Sequence, residues 1–219
     1  MSIPDSTSLA TYWNGPGQEK VFNHPVPWDW LNLERGSQVL DLGCGYGRLL
    51  GEIVARGGAA LGADASSRMV ERAQAACPTA EVVQCIGALP WPDRSVDIVL
   101  MITVLTSAPA DVDQRRLLGE AHRVLRPGGR LFISDLPLQW DARNLARYRA
   151  HAELGDFGVF NLPGGATLRH HSLARFQDLV GAFETERMQG FEVVSMNGNP
   201  IWAVRWLGRK IQPPAAGMT

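Results

Sequence analysis

From residue 37 to residue 136 the chain alternates short apolar runs with stretches whose apolar positions recur at helical spacing. The run "QVLDL" reads as a strand and ends at a glycine loop. The next stretch, "YGRLLGEIVARG", puts Leu49, Leu50, Ile53 and Val54 on one side of a helix, and Gly57 stops it. "AALGAD" predicts a second strand. "SSRMVERAQAAC" predicts a helix capped by Ser66 or Ser67, with Pro78 just beyond it. "AEVVQCI" is a third strand. "VDIVLMITVL" is apolar on both faces, which suits a central strand of a parallel sheet. Asp111 to Arg126 is predicted helical from Leu117, Leu118, Ala121, Val124 and Leu125. "RPGG" ends that helix and "RLFISDL" is a fifth strand. Five strand–helix units in succession imply a doubly wound sheet with helices on both faces.

After Leu136 the rhythm changes. "LQWDARNLARYRAHAEL" is helical in pattern, and "FGVFNLPGGATLRHH" predicts a hairpin about Pro163, Gly164 and Gly165. "SLARFQDLVGAF" is an amphipathic helix. The last two strands, "FEVVSMNG" and "IWAVRWLG", are joined by a turn too short for a parallel crossover, so they must be antiparallel. The expectation is an α/β fold: a doubly wound seven-stranded sheet, mostly parallel, with a C-terminal antiparallel hairpin. A single domain is expected over 1–219, with an N-terminal flap at 1–36 and a lid at 137–171 inserted after the fifth strand.

Composition adds mainly exclusions. The chain has 219 residues, is 45% hydrophobic and 20% charged, and carries a net charge of −1. No global basic field exists to hold a polyanion, so no nucleic-acid partner is expected. Arg143, Arg147 and Arg149 cluster locally and read as a solvated helix face. The N-terminus lacks the basic start and apolar segment of a signal peptide, and "IVLMITVL" is too short to span a bilayer. Cys44, Cys77 and Cys85 have neither disulfide-framework nor zinc-site spacing. A cytoplasmic protein without membrane contact or bound metal is expected, as a monomer or homodimer.

The chemistry starts at "VLDLGCGYGRLL". Gly43, Gly45 and Gly47 let a ligand lie on the backbone directly after a strand. The spacing is G-x-G-x-G, not the G-x-G-x-x-G of dinucleotide sites, and Asp41 would repel a pyrophosphate. An acid there suits a cationic ammonium, and Asp64, at the end of the second strand, suits ribose hydroxyls. The ligand reads as a nucleoside with a zwitterionic tail and no phosphate. The structural alternatives are that Asp41 satisfies loop backbone and that Asp64 caps the following helix.

Together, "VLDLGCGYGRLL", "LGADAS", "LPWPDRSVDIVLMITVL" and "EAHRVLRPGGRLFISD" resemble class I S-adenosylmethionine-dependent methyltransferases, the group that includes ubiquinone- and menaquinone-biosynthesis enzymes. The resemblance covers roughly residues 37 to 136. It implies the Rossmann-like methyltransferase fold and S-adenosylmethionine as cofactor. It also implies that Gly43 and Gly45 support the methionine part, that Asp41 supports the ammonium and that Asp64 holds the ribose. Ala65 and Met69 would flank the adenine, and the backbone from Met101 to Thr103 would meet the amino-acid end. The position that usually carries an acid for the adenine amino group is Cys85, a weak acceptor, with Ile86 offering a backbone N–H. Tyr12 or Lys20 of the flap would meet the cofactor carboxylate.

A small-molecule acceptor is expected, methylated on O or N and aromatic or heterocyclic in character. Trp13, Asp135 and Trp140 are the candidates to touch it. His170 and His171 of "RHHS", with His24, are the candidate general bases. The competing readings are an RNA or protein methyltransferase and a non-catalytic S-adenosylmethionine-binding protein. No "NPPY"-like tetrad follows the fourth strand, and the cysteine set lacks the pattern expected for arsenite chemistry.

Overall fold

A computed structural model describes residues 6–21, 24–195 and 197–211. The alternation of the first half becomes β1 (Gln38–Leu42), α2 (Arg48–Ala55), β2 (Ala59–Asp64), α3 (Ser67–Ala76), β3 (Glu81–Gln84) and β4 (Val96–Ile102). A short helix α4 (Val104–Ser107) follows, then α5 (Asp111–Val124) and β5 (Leu125–Asp135). A preceding helix, α1 (Ser6–Asn14), lies in the N-terminal segment. The final part holds α6 (Ala142–Ala150), β6 (Val159–Asn161), β7 (Thr167–Arg169), α7 (Leu173–Leu179), β8 (Phe183–Val194) and β9 (Pro200–Lys210).

The seven-stranded sheet runs β3-β2-β1-β4-β5-β9-β8, and a separate two-stranded sheet pairs β6 with β7. β1, β2, β3, β4 and β5 pair in parallel, whereas β9 is antiparallel to both β5 and β8. The seven-stranded, mostly parallel sheet with an antiparallel end thus stands as expected. From β1 the chain first moves outward one way and then, at β4, the other. That reversal opens a crevice at the carboxyl ends of β1 and β4, where sheets of this kind take ligands.

Packing explains why the apolar runs became strands. Val39, Leu40, Val99 and Leu100 are wholly buried between the helices of the two faces. Leu50 and Ile53 pin α2 to the sheet; burying each such side chain contributes about 1.5–3 kcal/mol. Ser66 caps α3 by accepting from the Met69 N–H at 3.1 Å, and Ser172 caps α7 through the Arg175 N–H.

Several boundaries differ from the expectation: the helix predicted over 172–183 stops at Leu179 and the one predicted from Leu138 starts at Ala142, and three further shifts have clear partners. The fourth strand ends at Ile102 and the chain turns into α4, because the Asp135 carboxylate accepts the Leu105 N–H at 2.9 Å and the Thr106 N–H at 3.2 Å. The helix expected to reach Arg126 stops at Val124, and β5 already pairs at Leu125 with Val96 of β4. β8 starts at Phe183, eight residues before the predicted run, as a mostly exposed strand at the sheet edge. Among the described residues, no helix is long and apolar enough to cross a membrane.

Candidate active site

A cleft with about 1080 Å³ of empty volume opens over the carboxyl ends of the central strands. Asp41 and Leu42 of β1, Ala63 and Asp64 of β2, and Ile102 of β4 line it, with the glycine loop along its floor. Gly45 has φ of +54°, and a Cβ built there meets nothing within 4 Å, so any side chain would project into open space. Gly43 differs: it has φ of +80°, and its Cβ would come within 2.6 Å of Val104 Cγ2.

The two acids of this cleft are built differently. Asp41 is 3% exposed, and its carboxylate has no hydrogen-bond donor among the described residues. Burial pushes its carboxyl up to about 7, against the pull of Arg48 and with added repulsion from Asp64. Asp64 accepts the Gly45 N–H on Oδ2 and the Ser66 N–H on Oδ1, both at 2.9 Å. It therefore fixes the glycine loop against the start of α3, and each oxygen keeps a lone pair. Burial raises its carboxyl, and those backbone N–H groups oppose the rise.

The cleft continues past Ala65, Met69, Cys85, Ile86 and Leu117, with Trp13 of α1 at its edge. Cys85 Sγ lies 3.2 Å from the Ala88 carbonyl, so the thiol proton has a backbone acceptor. Asn14 anchors α1 beside the cleft: its Oδ1 accepts from the Ser66 hydroxyl at 2.6 Å and the Arg68 N–H at 3.2 Å. Sequence reasoning missed Tyr46, Arg48, Asp113 and Arg116, which also line the cleft.

S-adenosylmethionine, which the sequence resemblance implies, fits this set. The unpartnered Asp41 carboxylate calls for a cationic donor, and Gly45 leaves bare backbone beside it. Asp41, Gly45 and Asp64 would hold its amino-acid and ribose parts, and Met69, Ile86 and Leu117 its base.

A second cavity, with about 630 Å³ of empty volume, adjoins the first, and Thr103 and Ser107 line both. Thr103 sits at φ of +56°, a strained conformation for a β-branched residue. Its N–H donates to the Ser134 carbonyl at 2.7 Å. Leu162, Leu168 and Ile201 form apolar wall, while Arg143, Arg147, His24, His170, Ser195, Asn197 and Asn199 bring polar groups. Arg143 and Arg147 are thus not a purely solvated face; only Arg149 of that cluster lines neither cavity.

Two of the three candidate histidines meet in this second cavity. His170 Nδ1 lies 2.6 Å from the Tyr148 hydroxyl, and His24 Nδ1 lies 2.8 Å from the Ser134 hydroxyl. Burial holds both rings neutral at pH 7, His170 down to about 3 and His24 to about 4. The Tyr148 oxygen already accepts the Gln139 N–H at 3.1 Å, and burial pushes its phenol up to about 12. Its own proton therefore goes to His170 Nδ1, which leaves Nε2 as the N–H of that ring. The Ser134 hydroxyl is buried, and His24 Nδ1 is its one hydrogen-bond partner among the described residues, so the same assignment holds there.

The remaining candidates lie elsewhere. His171 is 2% exposed and lines neither cavity, and its ring nitrogens make no hydrogen bond among the described residues. Its backbone bonds to Leu136 and Leu138 hold it between the lid and β5. Asp135 lines neither cavity; all its hydrogen bonds go to Leu105, Thr106 and Leu136, which fixes α4 between the two cavities. Tyr12 packs with Tyr148, Phe160 and Leu162, and Lys20 donates to Asn197 Oδ1 at 3.1 Å. Trp140 is 73% exposed, and Met101 is buried in the core behind the cleft.

Residues 40–133 match the family model described as a methyltransferase domain. An uncharacterised methyltransferase of Mycobacterium tuberculosis is 37% identical over 145 residues, 66% of this chain and 54% of the relative. A demethylmenaquinone methyltransferase of Tropheryma whipplei is 34% identical over 108 residues, 48% of this chain and 44% of the relative. An arsenite methyltransferase of Halobacterium salinarum is 35% identical over 144 residues, 62% of this chain and 33% of the relative. The chain thus spans about half the length, or less, of these curated relatives. Among solved structures, an S-adenosylmethionine-dependent methyltransferase of Methanosarcina mazei superposes with a TM-score of 0.82 at 24% identity. That match covers 87% of this chain and 100% of the other.

Proposed function

Residues 40–133 form a methyltransferase domain of the class I S-adenosylmethionine-dependent family, and from that premise we propose that the protein methylates an oxygen or nitrogen of a small aromatic or heterocyclic metabolite. The observation that carries this reading is the junction at Thr103 and Ser107, where the cofactor cleft meets a second cavity. When bound, S-adenosylmethionine supplies an already activated methyl group. The protein's task is then to align a nucleophile with it and exclude water.

Residues 137–171 act as the acceptor lid and residues 6–21 as a flap beside the cofactor cleft, whereas Trp28, Trp30 and Leu31 of the expected 1–36 flap pack on the core. Trp13 and Asn14 hold the flap side, and Phe160, Leu162 and Leu168 supply the lid's apolar face. His170 and His24 serve as N–H donors that orient the acceptor, which revises the expectation of a general base. Asp135 is a positioning residue, because it acts through α4. Among the described residues no cysteine lines the second cavity, so thiol-dependent arsenite chemistry has no support there.

The test is incubation with methyl-labelled S-adenosylmethionine and separated metabolite, RNA and protein fractions. Label in the metabolite fraction is expected. Label in RNA or protein alone would favour the macromolecular reading, and no transfer to any fraction with intact cofactor binding would favour a non-catalytic protein.

A further inference from the structure

We propose that the acceptor carries a single carboxylate, bound by Arg147 in the second cavity; this deepens, and rests on, the reading of that cavity as the acceptor site. The cavity's charge balance is one-sided. Arg143 and Arg147 line it, and among the described lining residues there is no Asp or Glu. Arg143 is partly offset by Asp141, 3.7 Å away. Arg147 has no carboxylate within 4.0 Å among the described residues, and its guanidinium lies 4.5 Å above the Phe160 ring. That stacking orients the fork toward the cavity while leaving its N–H edges available.

The neutral groups point the same way. His170 and His24 each present an Nε2–H under the hydrogen-bond assignment above. Ser195, Asn197 and Asn199 add further donors at the β8–β9 turn. A cavity so rich in donors, with the Arg147 charge unpaired among its lining residues and the Lys20 ammonium held behind them at Asn197, matches an anion better than a cation, and the single planar fork of Arg147 suits a carboxylate. The apolar wall of Leu162, Leu168 and Ile201 then takes the body of the molecule, so the ligand is an aromatic or otherwise apolar carboxylic acid.

The experiment is calorimetry on the full chain saturated with S-adenosylhomocysteine, using three probes: 4-hydroxybenzoate, its neutral amide, and 4-hydroxyphenyl phosphate. The carboxylate should bind about ten- to hundredfold more tightly than the amide, and more tightly than the phosphate. Arg147→Gln should remove the preference for acid over amide without changing affinity for S-adenosylhomocysteine, and Arg143→Gln should reduce it less. Arg147→Lys, which keeps charge without the fork, should restore part of it. Equal affinity for acid and amide, no binding of either, tighter binding of the phosphate, or a preference that survives Arg147→Gln would overturn the proposal. Failure to bind S-adenosylhomocysteine would instead refute the methyltransferase reading on which it rests.

Discussion

Asp41→Asn should make the protein more stable and its cofactor binding weaker. The Asp41 carboxyl, ordinarily at 3.8, is pushed up to about 7, chiefly by burial. The folded chain thus holds this proton more tightly than the unfolded chain does. Its contribution to stability is full below about pH 4 and is lost as the pH rises toward 7. The shift sets a ceiling near 4 kcal/mol on that loss, and relaxation around a buried carboxylate reduces the expected figure to about 1–3 kcal/mol. Asparagine keeps the shape and avoids the charge. In urea melts without ligand, the variant should exceed wild type by about 1–3 kcal/mol at pH 8 and match it at pH 4. Calorimetry at pH 8 should show affinity for S-adenosylhomocysteine reduced about ten- to hundredfold, because the ammonium loses a charged partner. A variant that is less stable at pH 8 and binds normally would refute the reasoning, since Asp41 would then be a structural acceptor in its loop.

Further outcomes follow from other parts of the site. Wild-type affinity for S-adenosylhomocysteine should fall below pH 7 by up to about tenfold per pH unit as Asp41 takes up its proton, whereas Asp41→Asn should show a flat profile; calorimetry across pH 5–8 decides this. Thr103→Gly should relieve the positive-φ strain and stabilise the fold by about 1 kcal/mol in urea melts, while turnover drops as the wall between the cavities loosens. Tyr148→Phe leaves His170 Nδ1 and the Gln139 N–H without their shared partner, which should cost about 1–3 kcal/mol in stability and raise the acceptor KM more than it lowers kcat. Deleting residues 1–20 should abolish turnover yet keep the circular dichroism of the sheet, because Trp28, Trp30 and Leu31, which pack on the core, remain.

The parts legible in the sequence were those set by local signals. The glycine loop after β1, the capping serines, the two-sided apolar β4 and the Pro163–Gly165 turn each carry their own chemistry in a few adjacent residues. The missed parts depend on distant partners. α4 exists because Asp135, some thirty residues later, takes the Leu105 and Thr106 N–H groups. The first half of β8, "FETERMQ", is a mostly exposed edge strand, so it shows no apolar alternation; its pairing with β9 organises it. Arg143 and Arg147 read as a solvated face because helical spacing does not reveal which face the β6–β7 hairpin will cover. His170 and His171 are adjacent, and only the observed register shows that His170 lines the cavity while His171 packs behind it.

The most direct measurement is a crystal structure of the full chain grown with S-adenosylhomocysteine. The ligand's ammonium is expected at Asp41, its ribose at Asp64, and its sulfur at the Thr103–Ser107 junction, facing the cavity of His24, His170 and Arg147. A sulfur turned away from that junction, or a ligand bound outside the glycine-loop cleft, would contradict this placement.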